Sequence, residues 1–129
     1  MKAKPSKGYH VRHLRDATVV PCPCGTSRRI FTRDDTPVAN LHVTEITDSR
    51  KHYHKKATEY YYILEGAGKM ELNDDVIDLE PGLAIRIEPG TAHRAYGNIK
   101  TLIVVIPAAE HGDEFFCDEF LLFCGEDGV

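Results

Sequence analysis

The residues of this chain best suited to chemistry are three histidines and one glutamate. His52 and His54 form an H-x-H pair, Glu59 follows five residues later, and His93 lies behind Pro89-Gly90. Successive side chains of an extended strand alternate between its faces, so the two imidazoles of such a pair project to the same side. A short turn would return the carboxylate of Glu59 to them, and a barrel would bring in His93. The sequence therefore predicts one metal site with these four ligands.

The ligand types indicate which ion this site would hold. Three imidazoles with one carboxylate suit Fe(II), Mn(II), Ni(II), Co(II) or Zn(II) and are too nitrogen-rich for calcium or magnesium. A six-coordinate ion would keep about two positions open for water, substrate or oxygen. The prediction is one divalent transition metal of unspecified identity. The alternative is that the H-x-H pair is an ordinary pair of surface histidines.

Three further side chains are candidates for catalytic roles. Tyr61 shares a strand face with Glu59, so its phenol could donate a hydrogen bond or a proton in the pocket, unless residues 60–62 simply pack as an aromatic run. His42 could line the pocket or be a satisfied barrel histidine. Arg86, if buried, would need an acidic partner or an anionic substrate, and solvent exposure is the alternative.

The elements that must position these residues are short strands rich in Val, Ile, Thr, Tyr and Phe. The candidate strands cover residues 18–20, 28–32, 40–47, 58–64, 69–72, 76–79, 83–87, 93–96 and 101–106. Turn signals separate them at Gly66-Ala67-Gly68, Asn73-Asp74-Asp75, Pro81-Gly82, Pro89-Gly90 and Gly97-Asn98. Many short strands at near-regular spacing predict an all-β barrel or sandwich. The apolar spacing in residues 113–123 predicts a short helix or turn packed on it.

Length and charge restrict the classes of function. A chain of 129 residues fits one domain, with residues 1–16 as a flexible arm and residues 17–129 as a single domain with a C-terminal extension. A net charge of -4 without a long basic stripe argues against nucleic acid as a partner. No apolar run approaches the ~20 residues of a membrane helix, and the lysine-rich start does not resemble a signal peptide. We therefore expect a cytoplasmic protein that binds a small molecule.

The chain has four cysteines, Cys22, Cys24, Cys117 and Cys124. In a cytosol they would be kept reduced. A thiolate zinc site is a possible interpretation, but C-x-C is not the usual C-x2-C spacing. Simple burial or a redox-sensitive pair fits the pattern better.

The metal-binding pattern resembles the cupin superfamily, whose motifs read G-x5-H-x-H-x3,4-E-x6-G and G-x5-P-x-G-x2-H-x3-N. The positions that match are His52, His54, Glu59, Gly66, Gly82, Gly90 and His93. Ile46, Glu88 and Gly97 depart from the motifs, and none of them occupies a ligand position. The 15 residues between the motifs resemble the spacer of small single-domain microbial cupins. The resemblance covers residues 38–107.

The resemblance implies an antiparallel jelly-roll β-barrel of six to eight strands with short terminal extensions, commonly dimeric. Cupins of this size include dioxygenases, decarboxylases, isomerases, epimerases and lyases, so a metal-dependent enzyme on a small molecule is expected. Thiol dioxygenases resemble the chain less well, because their first motif usually lacks the glutamate found at Glu59. The alternatives are a non-catalytic module that binds a sugar or small metabolite, and an interaction protein with vestigial histidines. A homodimer through sheet edges and the N-terminal arm is also expected.

Overall fold

The computed structural model describes residues 7–22, 24–118 and 123–124, and within them the chain is almost entirely β-structure. One 3₁₀ turn covers Leu14–Asp16, and no α-helix occurs in these ranges. The strands are β1 (Thr18–Cys22), β2 (Gly25–Phe31), β3 (Asn40–Asp48), β4 (His52–Tyr53), β5 (Thr58–Leu72), β6 (Asp75–Leu79), β7 (Ala84–Ile87), β8 (His93–Ile106), β9 (Phe115–Asp118) and β10 (Phe123–Cys124). In the described part of the chain, no helix could cross a membrane.

The strands form one antiparallel sheet that curls into a jelly-roll barrel. Its main path runs β1-β2-β3-β8-β4-β9-β10, and β5 pairs with β6, β7 and β8. Strand β8 is central, because β3 and β4 pair with one of its edges and β5 pairs with the other. The predicted all-β antiparallel barrel is therefore confirmed. The expected homodimer stays a prediction, which light scattering of the protein in solution would test.

Two predicted turns are instead bends inside long strands. The structure joins residues 58–64 and 69–72 in β5, and residues 93–96 and 101–106 in β8. At the crossing, a Cβ on Gly68 would lie 2.3 Å from the Tyr96 carbonyl oxygen, and one on Gly97 would lie 2.6 Å from the Gly68 Cα. These glycines allow two backbones to approach closely, which explains why a turn signal was misleading there.

The hydrophobic core lies between the two layers of the curled sheet. Its buried members come mainly from β5 and β8, where inward and outward side chains alternate. The core includes Ile46, Ile63, Met70, Leu79, Ile87, Ala95, Ile99, Ile103 and Val105. A smaller cluster of Tyr53, Ala92 and Cys117 lies beside β4 and β9. The rigid β5–β8 pair thus carries both the core and the chain segments that hold Glu59 and His93.

The C-terminal segment forms β-structure, so the predicted helix or turn over residues 113–123 is wrong for the part described. Strand β9 pairs with β4, placing Phe116 opposite His52 and Phe115 opposite Tyr53. Residues 119–122 lie outside the described residues. Pairing with β4 satisfies the backbone hydrogen-bonding groups of β9. The spacing of apolar residues alone does not predict this pairing.

The N-terminal arm is tied to the barrel in its second half. The guanidinium of Arg12 contacts Asp35 at 2.6 Å and stacks over the Phe31 ring at 4.6 Å. Residues 1–6 lie outside the described residues, so the flexibility of the arm stays a prediction.

The cysteines differ from expectation. Cys22 and Cys24 form a disulfide, with their Cα atoms 5.2 Å apart, and Cys117 is disulfide-bonded too. The prediction of reduced thiols is therefore wrong for these three residues. Disulfide sulfurs also do not offer the thiolates that a second zinc site would need.

Candidate metal centre

Three parts of the barrel bring the four predicted ligands together. His52 lies in the short strand β4, with His54 directly after it, Glu59 is the second residue of β5, and His93 is the first residue of β8. His52 and His93 are direct partners across β4 and β8. One ligand atom from each of the four residues lies within 4.8 Å of all the others. The structure therefore places all four predicted ligands around one point.

Each imidazole is oriented by the main chain. In all three, Nδ1 lies at hydrogen-bond distance from a backbone carbonyl oxygen. The pairs are His52 with Arg50 (2.7 Å), His54 with Asp113 (2.6 Å) and His93 with Thr91 (2.9 Å). A carbonyl oxygen only accepts, so Nδ1 must carry the proton and donate it. The lone pair of Nε2 is then the group that each neutral imidazole presents to the cluster.

The atoms that meet at the centre lack protein partners with hydrogen-bond geometry. Oε1 of Glu59 lies 3.2 Å from Nε2 of His54 and 3.0 Å from Nε2 of His93. All three atoms are buried without a hydrogen bond to any described residue. Leaving a buried polar atom unsatisfied costs about 1–3 kcal/mol. A metal ion bound by these atoms would remove that cost, so the donor set fits a divalent transition metal.

Burial and close contact set the ionisation of the cluster. Burial alone would raise the pKa of Glu59, but its contacts with His54 and His93 outweigh burial and hold that pKa well below the usual range. Burial alone would lower the pKa of His54, and the contact with Glu59 reverses this and raises the pKa to about 9. Burial lowers the pKa of His52 to about 4, with a contribution from His93. A proton and a metal ion therefore compete for Nε2 of His54.

Asp113 builds the loop that follows the H-x-H pair. Its buried carboxylate accepts hydrogen bonds from the backbone amides of Lys55 (2.9 Å), Lys56 (3.2 Å) and Ala57 (3.2 Å). Its own carbonyl oxygen is the acceptor for Nδ1 of His54. One residue thus fixes both the turn between β4 and β5 and the orientation of one ligand. Sequence reasoning missed it, because 59 residues separate Asp113 from His54 and no local motif marks it.

Three of the four ligands, His52, His54 and Glu59, border a cavity of about 470 Å³, a size suited to a small molecule. Two of the three predicted catalytic candidates, Tyr61 and His42, line this cavity. Arg86 does not, because its side chain is 60% exposed and lies 3.5 Å from Glu88. The exposed alternative for Arg86 is therefore the one that the structure shows.

Tyr61 and His42 are held in defined protonation states. Burial, and then the charge of Glu59, raises the pKa of Tyr61 well above its ordinary value, so the phenol stays protonated. Burial, and then the charge of Arg29, lowers the pKa of His42 to about 4, so its imidazole is neutral near pH 7. The tautomer of His42 follows from its contact with Asn40. The side-chain oxygen of Asn40 accepts a hydrogen bond from the backbone amide of Ala109. The side-chain nitrogen of Asn40 therefore faces Nε2 of His42, at 3.2 Å. Nε2 is the acceptor, and Nδ1 carries the proton.

Sequence reasoning missed three charged residues of the cavity wall, Arg29, Arg50 and Glu114. The Glu114 carboxylate lies 3.7 Å from Nε2 of His52. No role is predicted from the sequence for Arg29, Arg50 or Glu114. Alternation in β2 separates Arg29 from Arg28, but only the folded sheet shows which of the two faces is inside.

A curled antiparallel barrel that gathers three histidines and a glutamate beside a cavity defines a cupin-type domain. Residues 40–106, more than half of the chain, match the Cupin domain family. The chain belongs to this family.

Several proteins are similar to this chain in sequence or in fold. A protein of known structure from Planctomyces limnophilus is 33% identical, with a TM-score of 0.78, over 85% of this chain and 98% of that one. Pac13, a nucleoside dehydratase from Streptomyces, shares the fold at 15% identity, with a TM-score of 0.77 over 93% of this chain and 98% of that one. An uncharacterized protein of Methanocaldococcus jannaschii is 38% identical over 66 residues, which are 48% of this chain and 53% of that protein. The chain thus matches about half the length of this last relative.

Proposed function

We propose that this cupin is a metal-dependent enzyme that acts on a small molecule. The observation that carries the proposal is the meeting of the imidazole nitrogens of His54 and His93 with the carboxylate of Glu59. These atoms are buried and unpartnered among the described residues, and His54 and Glu59 border a cavity large enough for a substrate. A purely structural role would not need such a group of unsatisfied lone pairs beside an open space.

The metal would be held by His52, His54, Glu59 and His93, and when bound it would act as a Lewis acid on an oxygen of the substrate or take part in oxygen activation. The protonated phenol of Tyr61 would donate a hydrogen bond to a substrate in the cavity. Tyr61 lies two residues from Glu59 on the same face of β5, with its ring 6.4 Å from that of His93. This position supports a role for the phenol in directing a proton to a substrate atom beside the metal centre.

Dioxygenase, isomerase, decarboxylase and lyase chemistry are all compatible with this centre. The nucleoside dehydratase with the same fold is a lyase-type precedent for an enzyme in a barrel of this size. The second candidate is a binding module for a sugar or small metabolite, in which the metal serves as a docking point. The neutral Nδ1–H donor of His42 in the cavity wall suits either function.

Metal analysis of tag-free protein tests the proposal. We expect close to one transition-metal ion per chain, with most of it lost in His54→Ala and none lost in His111→Ala. His111 is a suitable control because it is exposed and lies outside the cluster. Wild-type protein that holds no metal, and takes up none on soaking, would remove the basis of the proposal.

An activity screen separates enzyme from binding module. The metal-replete protein is offered aromatic diols, keto acids and sugar phosphates under oxygen, and product formation is followed by mass spectrometry. Turnover that disappears in Tyr61→Phe while metal content is unchanged would support the enzyme. Ligand binding without turnover would favour the binding module.

A further inference from the structure

Two arginines of the cavity wall have no acidic partner. Arg29 lies in β2, and Arg50 lies in the segment before β4. Neither forms an ion pair with a carboxylate among the described residues, whereas Arg12, Arg33, Arg86 and Arg94 all do. The Arg50 guanidinium stacks over the ring of Phe116 at 4.2 Å. Both cations therefore keep their hydrogen-bond donors available to a molecule in the cavity.

The sheet register places Arg29 at the far end of one row of cavity residues. Arg29 is the direct partner of His42, His42 of Ile103, and Ile103 of Tyr61, so the row crosses β2, β3, β8 and β5. Three strand spacings separate the Cα atoms of Arg29 and Tyr61 by about 14 Å along the curved sheet. All four side chains line the cavity. Arg29, which is exposed, thus stands at one end of this row, and Tyr61, two residues from Glu59, stands at the other.

The charge of the cavity favours an anion. With a metal ion holding the histidines neutral, the ionised groups of its wall are two arginines and two carboxylates, Glu59 and Glu114. A divalent ion in the cluster leaves a surplus of two positive charges on the wall. Apolar surface from Ile46, Ile103 and Phe116 lies between these charges. A neutral sugar would leave the guanidinium of Arg29 without a charged partner.

We infer that the cavity takes a small organic anion whose carboxylate or phosphate group pairs with Arg29 while its other end faces the metal cluster. This rests on the proposed function, since it assigns the substrate class of the same cavity. The planar guanidinium matches either oxyanion with two parallel hydrogen bonds. Arg50 adds a second positive charge from the side of Phe116, and the apolar wall accommodates the body of the molecule.

Calorimetric titration with matched probes tests the inference. Benzoate and phenyl phosphate carry the two oxyanions, and benzamide is the uncharged counterpart of benzoate. Each is titrated into zinc-loaded and EDTA-treated protein, for the wild type, Arg29→Gln and Arg28→Gln. Arg28 is a matched control, because it precedes Arg29 in β2 and does not line the cavity.

We expect Arg29→Gln to weaken the binding of at least one anion tenfold or more in both forms of the protein. Arg28→Gln should stay within twofold of the wild type, and benzamide should not respond to either change. Unchanged melting temperature and zinc content in Arg29→Gln exclude an effect through folding or metal loss. The ratio of benzoate to phenyl phosphate affinity identifies the oxyanion.

The inference is overturned if neither anion binds the wild type at millimolar concentration, or if both anions bind Arg29→Gln as tightly as the wild type. The inference is also overturned if benzoate and benzamide bind with equal affinity and the affinity for phenyl phosphate is the same in Arg29→Gln as in the wild type. Protein that binds no zinc but still needs Arg29 for anion binding would refute the metal enzyme and leave the anion site standing. Zinc uptake without any Arg29-dependent anion binding would refute the anion site and leave the metal centre standing.

Discussion

Replacement of Asp113 by alanine should damage folding and metal binding together. The change removes the acceptor of three backbone amides in the loop after the H-x-H pair. The buried amide of Ala57 would lose its partner at a cost of about 1–3 kcal/mol, while those of Lys55 and Lys56 can turn to water and lose about 0.5–1.5 kcal/mol each. We expect Asp113→Ala to lower the free energy of unfolding by about 3 kcal/mol in total.

Urea unfolding of EDTA-treated protein, followed by far-UV circular dichroism, measures this loss. With a slope of about 1.5 kcal/mol per molar urea, the midpoint should fall by about 2 M. Asp113→Asn should be intermediate, because its amide oxygen can still accept from Lys55 and Lys56 but its nitrogen cannot accept from Ala57. Asp75→Ala makes the same chemical change at an exposed position in β6 and should leave the midpoint unchanged.

The same variant should also bind metal more weakly. The carbonyl oxygen of Asp113 orients His54, and it stays in place only while the side-chain carboxylate ties this residue to the loop after the H-x-H pair. Groups that orient a ligand typically contribute about 10–100-fold to metal affinity, so displacement of this carbonyl oxygen should weaken binding. Competition with a chromophoric chelator under conditions where both proteins are folded gives this ratio. Asp113→Ala with wild-type urea midpoint and wild-type zinc affinity would refute the reasoning that this carboxylate builds the ligand loop.

Three further predictions concern stability. The hydrogen bond from Arg12, and then that from the Thr32 amide, lowers the pKa of Asp35 to about 2, so its contribution is present above pH 4 and is lost as pH falls towards 2. Because the pair is partly exposed, Asp35→Asn should cost less than about 1 kcal/mol at pH 6, and urea titrations should show the difference from wild type vanishing near pH 2. Gly97→Ala puts a Cβ at φ +126° against the backbone of Gly68 and should cost about 2 kcal/mol or more, measured as a lower urea midpoint. Met70→Ala empties a fully buried core position and should cost about 2–5 kcal/mol, and a loss under about 1 kcal/mol would show that the core collapses around it.

The local chemistry of the site could be predicted from the sequence because it depends on short-range spacing. His52 and His54 are separated by one residue, so strand alternation predicts that they share a face, and a short turn returns Glu59, the second residue of β5, to them. The continuous strands β5 and β8 were harder to predict, because Gly68 and Gly97 are typical turn residues. Their true role is the close approach of two backbones, which only the pairing of the strands reveals.

The remaining wall of the site depends on tertiary contacts that spacing does not encode. Arg29 and Arg86 both interrupt strands, yet only Arg29 faces the cavity, and alternation alone does not identify the inner face. Asp113 and Glu114 reach the ligands from a segment that local pattern assigned to a helix or turn. The pairing of β9 with β4 determines their position.

The orientation of the histidines by main-chain carbonyl oxygens has an evolutionary consequence. Every residue type offers the same carbonyl group, so the side chains of Arg50 and Thr91 can be exchanged without altering the acceptors of His52 and His93. Arg50 can therefore change with the ligand preference of the cavity while the imidazole beside it keeps its tautomer. A barrel of this design can acquire new specificities through mutations only two residues from its metal ligands, because the acceptors that orient those ligands belong to the main chain.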